Sequence, residues 1–421
     1  MKSSLGGHLW HHRDFRRFWF SDTVVQFGNQ FSVFALPVLA VLSLNATPLD
    51  IGIITALAIA PYPLLGLFVG VWADRFRKRR IMVVCNFGRM VTLATVPVGF
   101  VLKVLSLTQI FAVALVAGIF SVFFDISYQA YLPILVDRGD LIEGNQKLQL
   151  SASGAQVAGP GIAGFVYQAI GGAFTVAVDS VGYLVSAVAL LAIRKDEPPR
   201  VRKDGDPAPD FFKEMREGLS VVLGSGYLRT IAAATATSNL GSNMVQAVVV
   251  IFALRTLHFA ASEYGLVLSI GAVGFLAGVL VVNRVTARLG LGPTLALSIT
   301  LPVAFALYPL ALLGYAFVVL SVSSFIVGAS IPLYNVNQIS LRQAMTPNRL
   351  QGRMNATMRT IVWGTIPIGS LIGGVLGVEI GVVDTIYVGS AIAALAVAWI
   401  LFGPVIKLRR QPEPITESEL I

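Results

Sequence analysis

The chain has 421 residues, 55% of them hydrophobic and only 13% charged, with a mean hydropathy of +0.76. Soluble proteins carry about 25% charged residues, so a water-surrounded globule is excluded and lipid is the expected solvent. The net charge of +9 would suit a nucleic-acid binder, but its cations sit in short loops between apolar runs, where they set topology, and no nucleic acid is expected as a partner.

The first residues are polar, with His8, His11, His12 and Arg13 where a cleavable leader would be apolar. Apolar runs follow over 18–43, 49–73, 80–102, 107–133, 143–168 and 172–193, and then over 228–254, 262–282, 292–312, 314–341, 355–378 and 382–406. Each reaches the ~20 residues that a helical span needs. The expectation is an all-α integral membrane protein of twelve transmembrane helices in two pseudo-symmetric six-helix bundles, 1–193 and 228–421. Between them, 194–227 reads as a cytoplasmic linker. Within it Phe211, Met215, Leu219 and Val222 recur at helical spacing among Lys213, Glu214, Arg216 and Glu217, the pattern of an amphipathic surface helix. With both termini in the cytoplasm, all of the 31 Lys and Arg residues except Lys103 and Arg255 fall on the inner side.

The halves repeat each other. Asn145, Gly154, Gly159 and Gly164 recur as Asn355, Gly364, Gly369 and Gly374, roughly 210 residues later. Asp22, Gln26 and Asn29 share one face of the first helix, and Asn239, Asn243 and Gln246 share the same spacing in the seventh. Three positions pair an acid with an amide: Asp22 with Asn239, Asp74 with Asn283, and Asp125 with Asn335. Amides hold ligands but exchange no proton, so titration is expected in the first half only.

Between the second and third runs stands Gly70-Val71-Trp72-Ala73-Asp74-Arg75-Phe76-Arg77-Lys78-Arg79-Arg80. Two helices joined by so short a basic turn form a tight hairpin, and Gly70 is expected to let their backbones approach closely. This Gly-x-x-x-Asp-Arg-x-x-(Lys/Arg)-Arg loop resembles the signature of the major facilitator superfamily of secondary transporters. It departs from that pattern at Phe76-Arg77, where the family has a glycine. Gly154, Gly159, Pro160 and Gly164 resemble the antiporter motif of the superfamily's exporters, with Ala163 in place of one glycine. Val178-Asp179-Ser180-Val181-Gly182-Tyr183, Tyr131-Leu132-Pro133 and Leu141-Ile142-Glu143-Gly144-Asn145 are similar to the bacterial branch of macrolide and siderophore exporters.

An ionised acid near the bilayer centre costs about 2.5–3.5 kcal/mol, so it must be paired, protonated or wet. Asp22 and Asp125 are the proton-coupling candidates; pairing of Asp22 with Arg13, Arg16 or Arg17 is the structural alternative. Arg89 is a permanent charge within a span, and its expected partner is Asp125. The resemblance also implies a charge latch of Lys78 with Asp125, a static pair being the alternative, and a gating loop of Gly70, Asp74, Arg75, Lys78 and Arg79. Asp179 is expected to pack against a hydroxyl, and Arg359 to be interfacial. The resemblance places a cavity among helices one, four, seven and ten, whose polar residues include Gln26, Asn29, Gln30, Tyr128, Asn239, Asn243, Gln246, Tyr334, Asn335 and Gln338. Amides and phenols among Phe27 and Phe31 suit a bulky, partly apolar substrate.

The expectation is a proton-coupled antiporter that exports amphiphilic compounds from the bacterial inner membrane as a monomer. A siderophore or metabolite exporter, an importer or lipid flippase, and a non-transporting receptor stay open. No cofactor or metal is expected: three of the four histidines lie in the N-terminal tail, His258 is alone, and Cys85 is the single cysteine. Without a phosphate-cradling Gly-Lys-Ser/Thr loop, neither ATP drive nor an enzyme is expected.

Overall fold

The computed structural model describes residues 8–73, 76–197, 211–347 and 349–410. Among them every regular element is a helix: α1 (Arg13–Ser43), α2 (Pro48–Ile59), α3 (Pro61–Ala73), α4 (Lys78–Val101), α5 (Leu107–Leu135), α6 (Leu141–Ile170), α7 (Gly172–Leu191), α8 (Phe211–Gly224), α9 (Gly226–Ile251), α10 (Ala261–Leu289), α11 (Leu291–Thr300), α12 (Ala316–Met345), α13 (Gln351–Glu379) and α14 (Val382–Leu401). Eleven segments are long and apolar enough to cross a membrane; α2 and α3 form one of them, and α11 another with the 3₁₀ stretch Leu301–Leu313. The remaining span of the twelve is α6. Its 30 residues are ample in length, but its glycines, glutamines and serines keep its hydropathy low.

The breaks follow local chemistry. Pro61 opens α3 directly after α2 ends, because a proline lacks the amide that would continue the ladder. Pro302 and Pro309 lie in the 3₁₀ stretch of the tenth span's predecessor. Elsewhere helix starts are capped: Ser106 Oγ accepts from Gln109 N at 3.3 Å, and His12 Nδ1 from Phe15 N at 3.0 Å.

The repeat extends to the backbone. Gly171 and Gly381 precede α7 and α14 with φ of 82° and 90°, a conformation that a side chain rarely tolerates. Lys103 and Tyr315, before α5 and α12, have φ of 59° and 55°; Asn45 and His258, before α2 and α10, have 53° and 56°. Thr47 N donates to Asp50 Oδ2 at 2.7 Å, and Ala260 N to Glu263 Oε2 at 2.8 Å. An acidic side chain thus caps the start of α2 and of α10 in the same way.

Two compact units are present. The first holds Met1–Asn45, Ala60–Asp204 and Ala260–Ser269; the second holds Ala46–Ile59, Gly205–Phe259 and Ile270–Ile421. In the first, α7 packs on α1 and α4, while α5 packs on α3 and α4. In the second, α9 packs between α13 and α14, and α13 also meets α2. Helix α8 joins the second unit, burying Val221 and Val222 in a core with Leu228, Leu295, Leu341 and Met354. Arg353 on α13 forms an ion pair with Glu217 on α8.

Candidate functional site

In the first unit Asp22, Lys78, Arg89 and Asp179 are buried and Asp125 is half-buried. Asp22 is 2% exposed. Its Oδ1 accepts from Gln26 Nε2 at 3.3 Å, and the Tyr128 hydroxyl faces it. Among the interfacial arginines proposed as its partners, Arg17 instead binds Asp14 at 2.9 Å. Asp125 Oδ2 accepts from the Tyr62 hydroxyl at 2.6 Å. Arg89 donates from Nη2 to Asn86 Oδ1 at 2.5 Å, and its guanidinium lies 4.3 Å from the ring centres of both Phe124 and Tyr183. An aromatic face neutralises part of a desolvated guanidinium charge, and the rings of Phe124 and Tyr183 sandwich Arg89 in this way.

The basic turn is held by backbone contacts. Buried Lys78 donates from Nζ to the Ala73 carbonyl at 2.6 Å, and Arg79 donates to the Ile193 carbonyl. Glu197, just beyond α7, accepts from Lys78 N at 2.6 Å and Arg79 N at 3.2 Å, capping α4. Asp74 and Arg75 lie outside the described residues. The close approach expected at Gly70 is not made: among the described residues, no atom lies within 4 Å of a side chain placed there.

Helix α6 carries the antiporter-like motif. A Cβ on Gly159 would stand 2.5 Å from Gln30 Cγ of α1; one on Gly164 would stand 2.6 Å from the Ala261 carbonyl, at the start of α10. Beside Pro160, Gly161 N donates to Ser269 Oγ at 2.9 Å. Gly154 borders open space. The second unit repeats these contacts, with Gly369 against the Leu240 carbonyl of α9 at 2.5 Å and Gly374 against the Pro48 carbonyl at 2.9 Å, while Gly364 is open like Gly154.

The second unit also encloses a cavity of ≈ 240 Å³ between α9, α11, the 3₁₀ stretch and α12. Asn239, Asn243, Gln246, Tyr334 and Asn335 line it together with Ile299, Pro302 and Phe305, and no formally charged side chain is among its lining residues. Some of the polar groups are already engaged. Asn239 Nδ2 donates to the Val362 carbonyl at 3.1 Å, Asn243 Nδ2 to the Asn239 carbonyl at 2.8 Å, and Tyr334 shares a 2.7 Å hydrogen bond with Thr235. Gln246 and Asn335 are exposed, whereas Gln338 is buried outside the lining and donates to Asn335 Oδ1 at 3.4 Å. In the first unit Asn29 is exposed, while Gln30 packs on Gly159 and Tyr128 stacks between Phe18 and Phe124.

Tyr62, Asn86 and Glu197 are not singled out in the sequence, and Tyr183 enters only as the end of a longer motif. Tyr62, Asn86 and Tyr183 sit in apolar runs where a phenol or amide looks like helix packing, and Glu197 sits among linker charges. Their partners lie far along the chain; Asn86 has in addition a partner within one helix turn, Arg89. Among the described residues no group of three His, Cys, Asp or Glu could hold a metal ion.

Residues 9–416 match the family model described as transmembrane secretion effector. The chain is 26% identical to the multidrug efflux pump Tap of Mycolicibacterium fortuitum, over 90% of this chain and 91% of that protein. It is 23% identical to macrolide efflux protein A of Enterococcus faecalis, over 74% of this chain and 96% of the relative. Among solved structures, a bacterial homologue of the iron transporter ferroportin in an inward-facing state superposes with a TM-score of 0.72 at 17% identity, covering 93% of this chain and 98% of that one. The nucleoside transporter NupG superposes with a TM-score of 0.71 at 10% identity, covering 94% and 99%.

Proposed function

The chain belongs to the transmembrane secretion effector family of the major facilitator superfamily, a membrane transporter and not an enzyme, and from that premise we propose that it exports amphiphilic small molecules by proton-coupled antiport. The observation that carries the substrate class is the cavity of the second unit, where amides and hydroxyls share the wall with Ile299, Pro302 and Phe305 and no charged side chain takes part. Such a wall favours a neutral, partly apolar surface studded with hydroxyl or carbonyl groups and offers nothing to offset a phosphate. Drug-sized ligands occupy pockets of about 300–1,000 Å³, so the ≈ 240 Å³ here accommodates only part of one. The relatives are named as multidrug and macrolide efflux proteins, which supports export and a macrolide-like cargo from the bacterial inner membrane.

The acid-to-amide asymmetry supports the proton coupling. Asp22 and Asp125 are carboxyls within spans, hydrogen-bonded to Gln26 and Tyr62, whereas their counterparts Asn239 and Asn335 line the second unit's cavity. One half then exchanges protons while the other grips cargo, and alternating access couples the two. Everted membrane vesicles that express the protein test this. Respiration should drive accumulation of a radiolabelled macrolide, and a protonophore should abolish it. Accumulation that survives the protonophore would refute the coupling.

A further inference from the structure

Asp179, in the middle of α7, has no part in the mechanism just described. It is fully buried, and neither carboxyl oxygen has a hydrogen-bond partner. The Ser32 hydroxyl of α1 faces it but is likewise unpartnered. Its space exists because residue 28 is glycine: a Cβ there would stand 2.5 Å from Asp179 Oδ1. One turn along α7 is Tyr183, whose ring lies against Arg89 and whose hydroxyl accepts from Arg89 Nη1 at 3.5 Å. Arg89 is 3% exposed, and its Nε has no partner. The packed faces of α1, α4 and α7 therefore hold a buried acid whose oxygens make no hydrogen bond and a buried guanidinium whose Nε has no acceptor.

An ionised carboxylate stripped of water and donors is far costlier than a neutral carboxylic acid, whereas arginine keeps its charge in any surroundings. Were Asp179 to ionise, its charge and that of Arg89 would compensate each other. Other groups facing this region are Asp22 and Ser32 from α1, Cys85 and Asn86 from α4, Tyr62 from α3, and Asp125 from α5. Of these Asp22 and Asp125 are the acids; Asp22 Oδ1 is engaged by Gln26 and Asp125 Oδ2 by Tyr62.

We propose that Asp179 is a further proton-binding site, protonated in the state described here, with Arg89 as its counter-ion once the proton has left. In that step the carboxyl O–H bond breaks and the proton passes to water. The carboxylate then accepts from Arg89, which leaves the Phe124 and Tyr183 rings. The site rests on the proton-coupled reading, adding a carrier to it.

Infrared difference spectroscopy of the full-length protein in liposomes tests this through the carboxyl C=O stretch. The wild type should show a protonated-carboxyl band at neutral pH that disappears in Asp179→Asn and persists in Asp22→Asn and Asp125→Asn. Arg89→Gln should move its titration to higher pH by about 1–3 units, the effect of losing an opposite charge at close range. Gly28→Ala should shift the band without removing it, and this variant carries the test if Asp179→Asn fails to fold. A wild-type spectrum that lacks the band, a titration unmoved by Arg89→Gln, or a band unmoved by Gly28→Ala would overturn the site. Gradient-driven export without the band sinks this inference alone, whereas the band without gradient-driven export sinks the proton-coupled reading.

Discussion

Tyr62 and Asp125, on α3 and α5, are joined by a 2.6 Å hydrogen bond from phenol to carboxyl. That bond ties the helix before the basic turn to a helix beyond it. Tyr62→Phe keeps the ring and removes the donor, so unfolding should become easier by about 1–2 kcal/mol. Asp125→Asn keeps an acceptor for the phenol but cannot exchange a proton. The pH profile of macrolide accumulation in everted vesicles should therefore change in Asp125→Asn and stay as in the wild type in Tyr62→Phe. Equal pH profiles in the wild type and Asp125→Asn would assign Asp125 a structural role only.

Glu197 supplies what the start of α4 lacks. Its two oxygens accept from Lys78 N and Arg79 N at 2.6 and 3.2 Å, a carboxylate at the positive end of the helix. Glu197→Ala should lower stability by about 1 kcal/mol, the usual effect of losing a cap. Glu197→Gln should recover part of it. Thermal unfolding of the purified variants, followed by tryptophan fluorescence, gives the measurement; an unchanged midpoint in Glu197→Ala would refute the capping role.

Why Glu197 and Tyr62 were hidden explains what the sequence makes legible. Hydropathy and loop cations mark spans because lipid acts on every residue of a run, and the glycine repeat marks matching helices because close packing tolerates little else at Gly164 or Gly374. Contacts between distant side chains leave no such periodic trace. Arg89 stood out as a charge in an apolar span, but nothing nearby in sequence announced that Phe124 and Tyr183 would enclose it. The low hydropathy of α6 has the opposite cause: its small residues serve helix contact, as at Gly159 on Gln30, rather than lipid.

The glycines of α6 and α13 should separate into two classes despite their common spacing. Gly154→Ala and Gly364→Ala meet open space, and replacing glycine within a helix gains about 0.5–1 kcal/mol. Gly164→Ala and Gly374→Ala press a methyl onto the backbone at Ala261 and at Pro48–Leu49, with an expected loss of about 1–3 kcal/mol. Thermal midpoints should rise slightly in the first pair and fall in the second. A fall in Gly154→Ala matching that in Gly164→Ala would show that the motif acts through something other than these contacts.

The cavity of the second unit separates binding from scaffolding among residues of one chemical type. The amide of Asn239 is committed to the Val362 carbonyl, so Asn239→Ala should lower stability and weaken every substrate alike. Gln246 and Asn335 line the cavity while exposed, and Asn335 gives up only a long 3.4 Å contact from Gln338, so alanine at either should change stability by no more than about 0.5 kcal/mol. Their effect should appear instead as a changed order of drug susceptibilities in cells. A cargo that hydrogen-bonds the amide loses that contact and exports less well, while one that meets it through apolar surface is spared. Drug profiles of Gln246→Ala and Asn335→Ala that match the wild type would move the substrate away from this cavity.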